Sequence, residues 1–87
     1  MIDVQRIDSA EFEVTVVKRV TTRHQVTLNP SYYNRLTKGE VPEEMLVRKS
    51  LEFLLEREPN TSILRRFDLS VIGDYFPEYE RRIRQML

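Results

Sequence analysis

The sequence has no cysteine, a single histidine and two glycines in 87 residues. Without cysteine there are no disulfides, thiolate metal sites, iron–sulfur clusters or thiol nucleophiles. His24 has no second histidine to join it as a metal-ligand pair. The isolated Gly39 and Gly73 make neither common type of phosphate-binding loop. No apolar run approaches the roughly 18 residues a membrane span needs. The stretch Met1-Ile2-Asp3-Val4-Gln5-Arg6 lacks the apolar segment of a signal peptide, so the expected compartment is the cytoplasm. Neither sign of charge prevails: fourteen basic and fourteen acidic residues give a net charge of zero. There is thus no global pull toward nucleic acid or anionic lipid.

Hydrophobic residues make up 40 % of the chain and charged residues 32 %, as in a folded domain. The length suits one domain, residues 1–87. A domain this small buries only about 60–65 % of its unfolded surface, and dimerisation is a common remedy.

Residues 11–28 alternate. Phe12, Val14, Val16, Val20, Val26 and Leu28 are apolar at even positions, with Lys18, Thr22 and His24 as exceptions. The odd positions are polar except Val17. This period of two predicts half-buried strands with one face on a core. A reversal near Arg19-Val20-Thr21 would set Phe12 opposite Leu28, Val14 opposite Val26 and Val16 opposite His24. That turn carries no Gly, Asn or Asp; the alternative is a kinked strand whose second half pairs with a partner chain. Ile2-Asp3-Val4 is a candidate edge strand.

Helices follow. Pro30-Ser31 opens a short one through Tyr32, Tyr33 and Leu36, punctuated by Lys38-Gly39. The strongest runs from Pro42, at the first helical position, to about Glu58. Its first turn carries Glu43 and Glu44, and its apolar stripe is Leu46, Val47, Leu51, Leu54 and Leu55, widened by Met45 and Phe53. Glu44 lies four residues before Arg48, the favourable orientation for an ion pair. Asn60 or Thr61 is expected to cap a turn holding Ile63, Leu64 and Phe67; Asp68 caps Leu69 to Tyr75; and a last helix restarts after Pro77 with Tyr79, Ile83 and Met86 inside. The fold expected is α+β: an N-terminal β-hairpin of two or three antiparallel strands packed on one long helix, with short C-terminal helices.

Chemistry-bearing groups are few. His24 reads either as a proton-transfer or pH-sensitive interface group, or as an amphipathic residue at the core margin. Asp68, Asp74, Glu78 and Glu80 read as caps and solvated surface rather than a magnesium cluster. No catalytic constellation, metal site or cofactor cradle is expected. Locally, residues 15–40 hold Lys18, Arg19, Arg23, Arg35 and Lys38 against Glu40 alone, a basic ribbon able to lie along phosphates. The aromatic corner Tyr75-Phe76-Pro77-Glu78-Tyr79 is either a binding platform or a structural closure with its hydroxyls in water.

Two resemblances add to these readings. His24-Gln25-Val26-Thr27-Leu28-Asn29-Pro30, then Tyr32 to Leu36, Lys38-Gly39 and Pro42 to Leu55, resemble the ribbon-helix-helix DNA-binding proteins. The likeness implies a two-chain antiparallel ribbon in the major groove. Arg23, Gln25 and Thr27 would then read bases, with Lys18, Arg19 and Arg35 on phosphates. Thr21 to Leu28 is also similar to the swapped-hairpin transcription regulators, with His24 where those carry glycine. Taken whole, with Leu54 to Pro59, Phe67-Asp68-Leu69 and Tyr75 to Glu80, the chain looks like a group of small bacterial proteins of unknown function. The expected role is a non-catalytic binding or assembly module without cofactor. Its expected partner is a second copy in a homodimer, with Val17, Tyr32 and Tyr33 as interface candidates. A ribbon-helix-helix-like transcriptional regulator or antitoxin acting on DNA is the alternative.

Overall fold

The computed structural model describes residues 1–87. It is α+β, with a four-stranded mixed sheet and four α-helices. Strands β1 (Ile2–Arg6), β2 (Glu11–Val17) and β3 (Thr21–Thr27) form an antiparallel meander, and β4 (Arg66–Asp68) joins β3 in parallel, in the order β1-β2-β3-β4. The helices are α1 (Pro30–Thr37), α2 (Glu43–Leu55), α3 (Val71–Tyr75) and α4 (Tyr79–Met86), with a 3₁₀ turn at Asn60–Ser62. No helix is long and apolar enough to cross a membrane.

The expected alternation holds in the strands. Phe12, Val14, Val16 and Val26 are buried on one face of the sheet, and β1 adds Ile2 and Val4 to that side. The hairpin register differs from expectation by two residues. Phe12 faces Val26, Val14 faces His24 and Val16 faces Thr22, with Lys18-Arg19-Val20 as the loop. A slip of two leaves every side chain on its own face, so alternation alone cannot detect it. The loop needs no glycine because none of its residues takes a positive φ. Leu28 lies beyond the strand, where its amide donates to the carbonyl of Ala10. Between β1 and β2, the Asp8 carboxylate accepts from the amides of Ala10 and Glu11 and fixes the bend.

Asn29 caps α1 by accepting from the Ser31 amide, with Pro30 in the first turn, and Lys38 (φ 56°) and Gly39 (φ 74°) end it. In α2, Pro42 occupies the cap rather than the first helical position, and the helix spans 13 residues rather than running to Glu58. It buries Leu46, Val47, Ser50, Leu51, Phe53 and Leu54. Met45 does not widen the stripe; it is 42 % exposed. Glu44 pairs with Arg6 rather than Arg48, and the freed Arg48 donates to the carbonyl of Ile2.

The segment holding Ile63, Leu64 and Phe67 is not a helical turn. After the 3₁₀ turn it extends into β4, where Phe67 faces Val26 and enters the core. Asp68 does not cap a helix from Leu69: α3 starts two residues later with Ser70 at its cap, and the Asp68 carboxylate instead accepts from the amide and hydroxyl of Ser70, closing the turn out of β4. Tyr79 does not present its hydroxyl to water. It is fully buried, and the hydroxyl bonds to that of Ser50 at 2.6 Å. Burial pushes the Tyr79 phenol well above its ordinary range.

Eighteen buried residues form one apolar cluster between sheet and helices. Leu51→Ala removes a fully buried side chain from it, and a loss of about 2–5 kcal/mol is expected in urea unfolding. Met45→Ala, two turns earlier on the exposed side, is expected to change stability by less than about 0.5 kcal/mol.

Candidate functional site

The uncovered sheet face carries the residues assigned to base reading. Arg23, Gln25 and Thr27 point outward from β3 beside Asp3, Glu11, Glu13 and Thr15, with Arg66 and Asp68 on β4. That face holds four carboxylates against two guanidiniums. Gln25 donates its amide hydrogen to Glu11, so its recognition edge is engaged within the chain. β3 pairs with β2 on one side and β4 on the other, leaving no free edge for a ribbon shared with a second chain. Lys18 and Arg19 lie in the hairpin loop. Arg35 belongs to the helix that leaves the opposite end of β3, where it stacks 5.1 Å over Tyr32 and pairs with Glu80 at 2.9 Å. The six basic and polar residues of the nucleic-acid reading therefore do not gather on one surface.

The interface candidates fall in different surroundings. Val17, the last residue of β2, is 42 % exposed on the outward side. Tyr32 is buried, and its hydroxyl donates to Glu80 at 3.0 Å. Burial above all holds that phenol far above its ordinary pKa. Tyr33 is half-buried and donates to the carbonyl of Val41. No cluster of three or more acidic or histidine side chains is placed to hold a metal ion. Glu78 instead meets Arg57 at 3.2 Å. Its own backbone amide first, and then Arg57, hold its carboxyl below the usual range.

His24 sits inside the core rather than at its margin, with 1 % of its surface exposed. Its Nδ1 faces the carbonyl of Leu64 at 2.8 Å, and a carbonyl only accepts, so Nδ1 carries the hydrogen. Nε2 then accepts from the Thr22 hydroxyl at 2.8 Å. Thr22 accepts in turn from the Asn60 amide at 2.9 Å, and the same amide donates to the carbonyl of Val20 at 2.8 Å. This directional chain ties β3 to the segment before β4 and uses both ring nitrogens of a neutral imidazole.

A pocket that sequence reasoning missed lies at the C-terminal end of α2. Leu54, Glu58, Ile63, Leu64, Val71, Ile72, Tyr75 and Phe76 line most of it, around a cavity of about 180 Å³. Leu64 and Tyr75 stand on its rim, 49 % and 67 % exposed. One wall is built firmly. Phe53 packs edge-on against Phe76 and Tyr79, with centroids 5.9 and 5.2 Å away. Arg57 lies 3.5 Å above Phe53 and bonds to the carbonyl of that residue and to Glu78. Glu58 is the one charged lining residue, and it enters no ion pair. The aromatic corner was visible in the sequence. Leu64 and Val71 were not, because their exposure depends on β4 being a strand.

The buried histidine has a pH signature. Desolvation lowers the His24 pKa below its ordinary 6.5, outweighing the Leu64 hydrogen bond that raises it, and Arg65 lowers it further. The unfolded chain then binds the proton more readily than the native one. The stability contributed by neutral His24 is complete above pH 6.5 and is lost as pH falls toward and through the folded value. Nuclear magnetic resonance titration is expected to place the His24 midpoint below 6.5, and urea midpoints to fall between pH 7.5 and 5.5. In His24→Gln that fall is expected to shrink.

No protein-family model, curated protein or solved structure matches this chain in the comparisons made.

Proposed function

We propose that the chain is a non-catalytic binding and assembly module whose working surface is the apolar pocket at the end of α2. The observation that carries this reading is the pocket itself: a firmly walled cavity of about 180 Å³ with Leu64 and Tyr75 left in water at its mouth. Exposed apolar groups that adjoin a preformed concavity mark interaction sites more often than scattered ones do. An apolar cavity of about 150 Å³ suffices to hold a benzene ring, so this one fits a single apolar side chain.

The interior polar groups support the same reading. Both nitrogens of His24 are engaged, Tyr32 is bound to Glu80, and Tyr79 is bound to Ser50. The depressed imidazole and the raised phenols follow from burial and from these bonds, which make a structural role sufficient. The outward sheet face, acidic on balance and without an aromatic residue, offers no stacking platform for bases.

A titration with benzene or indole tests the reading. Saturable methyl shifts are expected at Leu54, Ile63, Leu64, Val71 and Ile72. Leu64→Glu is expected to weaken the probe about tenfold or more while altering stability by less than about 1 kcal/mol, since the side chain is half exposed. Shifts scattered over the surface, or none at saturation, would contradict it.

A further inference from the structure

We propose that the occupant of this pocket is the β2–β3 loop of a second copy of the chain, Val20 entering the cavity while Lys18 and Arg19 meet Glu58. The inference rests on the binding-module reading and adds the identity and segment of the partner.

The two edges of the sheet are poor routes to self-association. In β1, the alternating ladder points the amides and carbonyls of Ile2, Val4 and Arg6 toward the free edge. There Arg48 donates to the Ile2 carbonyl, and Arg6 turns its charge toward α2, where it meets Glu43 at 2.6 Å. An inward-facing charge and a capped carbonyl are devices that blunt an edge strand. The edge of β4 is only three residues long. Pairing of copies through extended sheets is therefore disfavoured at both ends.

The loop has the chemistry that the pocket lacks. Val20 is 52 % exposed, an apolar side chain of a size the cavity admits, and it follows Lys18 and Arg19 directly. Neither cation enters an ion pair, and neither does Glu58 on the pocket wall. The unpaired charges are complementary in sign, and each adjoins an apolar group: Val20 in the loop and the apolar lining of the pocket. Only the backbone carbonyl of Val20 is committed, to Asn60, and its exposed side chain is free to dock.

Position supplies the second argument. A twofold dimer needs donor and acceptor surfaces within one patch, so that each copy gives and receives. Asn60 holds Val20 at 2.8 Å, and two residues later Ser62 is part of the pocket wall. The Ser62 side of the pocket thus adjoins the loop.

Sedimentation of the full chain at low salt, up to about 1 mM, is the test. The wild-type chain is expected to dimerise. Lys18→Glu with Arg19→Glu, and separately Glu58→Lys, should each weaken self-association about tenfold or more by placing like charges together. An equimolar mixture of the two variants should regain a dimer, because each loop then meets a pocket of opposite sign. Val20→Asp should give a monomer whose near-ultraviolet circular dichroism matches the wild type, which shows an intact fold. A wild-type chain that stays monomeric, variants that dimerise undiminished, or a mixture that does not recover would each overturn the proposal. Benzene binding in the Val20→Asp monomer separates the two claims: if the probe still fills the pocket, only the named occupant falls, and if it does not, the binding-module reading falls as well.

Discussion

One constraint organises the molecule: a single face of the three-stranded meander must be kept from water by α2. Phe12, Val14, Val16 and Val26 offer that face, and Leu46, Val47, Leu51 and Leu54 answer it. Burying an aliphatic or aromatic side chain of this kind contributes about 1.5–3 kcal/mol, and a chain of 87 residues has few other sources of stability. The polar character of the opposite face follows from the pleat. The short helices α3 and α4 then close what α2 leaves open, with Ile72, Tyr79 and Ile83 joining the same cluster.

Polar groups inside this core are admitted only in linked sets. Ser50 bonds to Tyr79, and His24 links Thr22 and Asn60 to the carbonyl of Leu64, so no buried side-chain polar atom lacks a partner. The second set spans 40 residues of sequence and holds the incoming strand β4 beside β3. It also positions Leu64 at the surface and Ile63 beneath it, which shapes the mouth of the pocket. The histidine thus bears on the pocket through the placement of the Leu64 backbone and is not itself a lining residue.

Much of the fold was legible because the physical signals are local. A period of two marked β2 and β3 and fixed the faces of their paired residues, though not of Val20, which shares the core parity but falls in the loop; Pro30-Ser31 and Lys38-Gly39 bounded α1; the apolar stripe located α2. The hairpin register was hidden because faces are unchanged by a slip of two. Strand β4 was hidden because Arg66-Phe67-Asp68 is too short to show a period, and its identity comes from a parallel partner some 40 positions away. The spacing of Ile63, Leu64 and Phe67 also satisfies a helical turn. The pocket was partly visible as an aromatic corner. Its mouth was not, since Leu64 and Tyr75 look like core residues until the strand and α3 decide which apolar groups are left over.

Leu64 and Tyr75, left over in this way, flank the pocket, whose Ser62 side adjoins the loop that carries the unpaired Lys18 and Arg19. The most direct measurement of that arrangement is an isotope-filtered nuclear Overhauser experiment on a mixture of labelled and unlabelled chains. Intermolecular contacts between the Val20 methyls and those of Ile63, Val71 or Ile72 are the expected result. Contacts confined to β1 or to the outward sheet face, or no intermolecular contacts at all, would contradict the account.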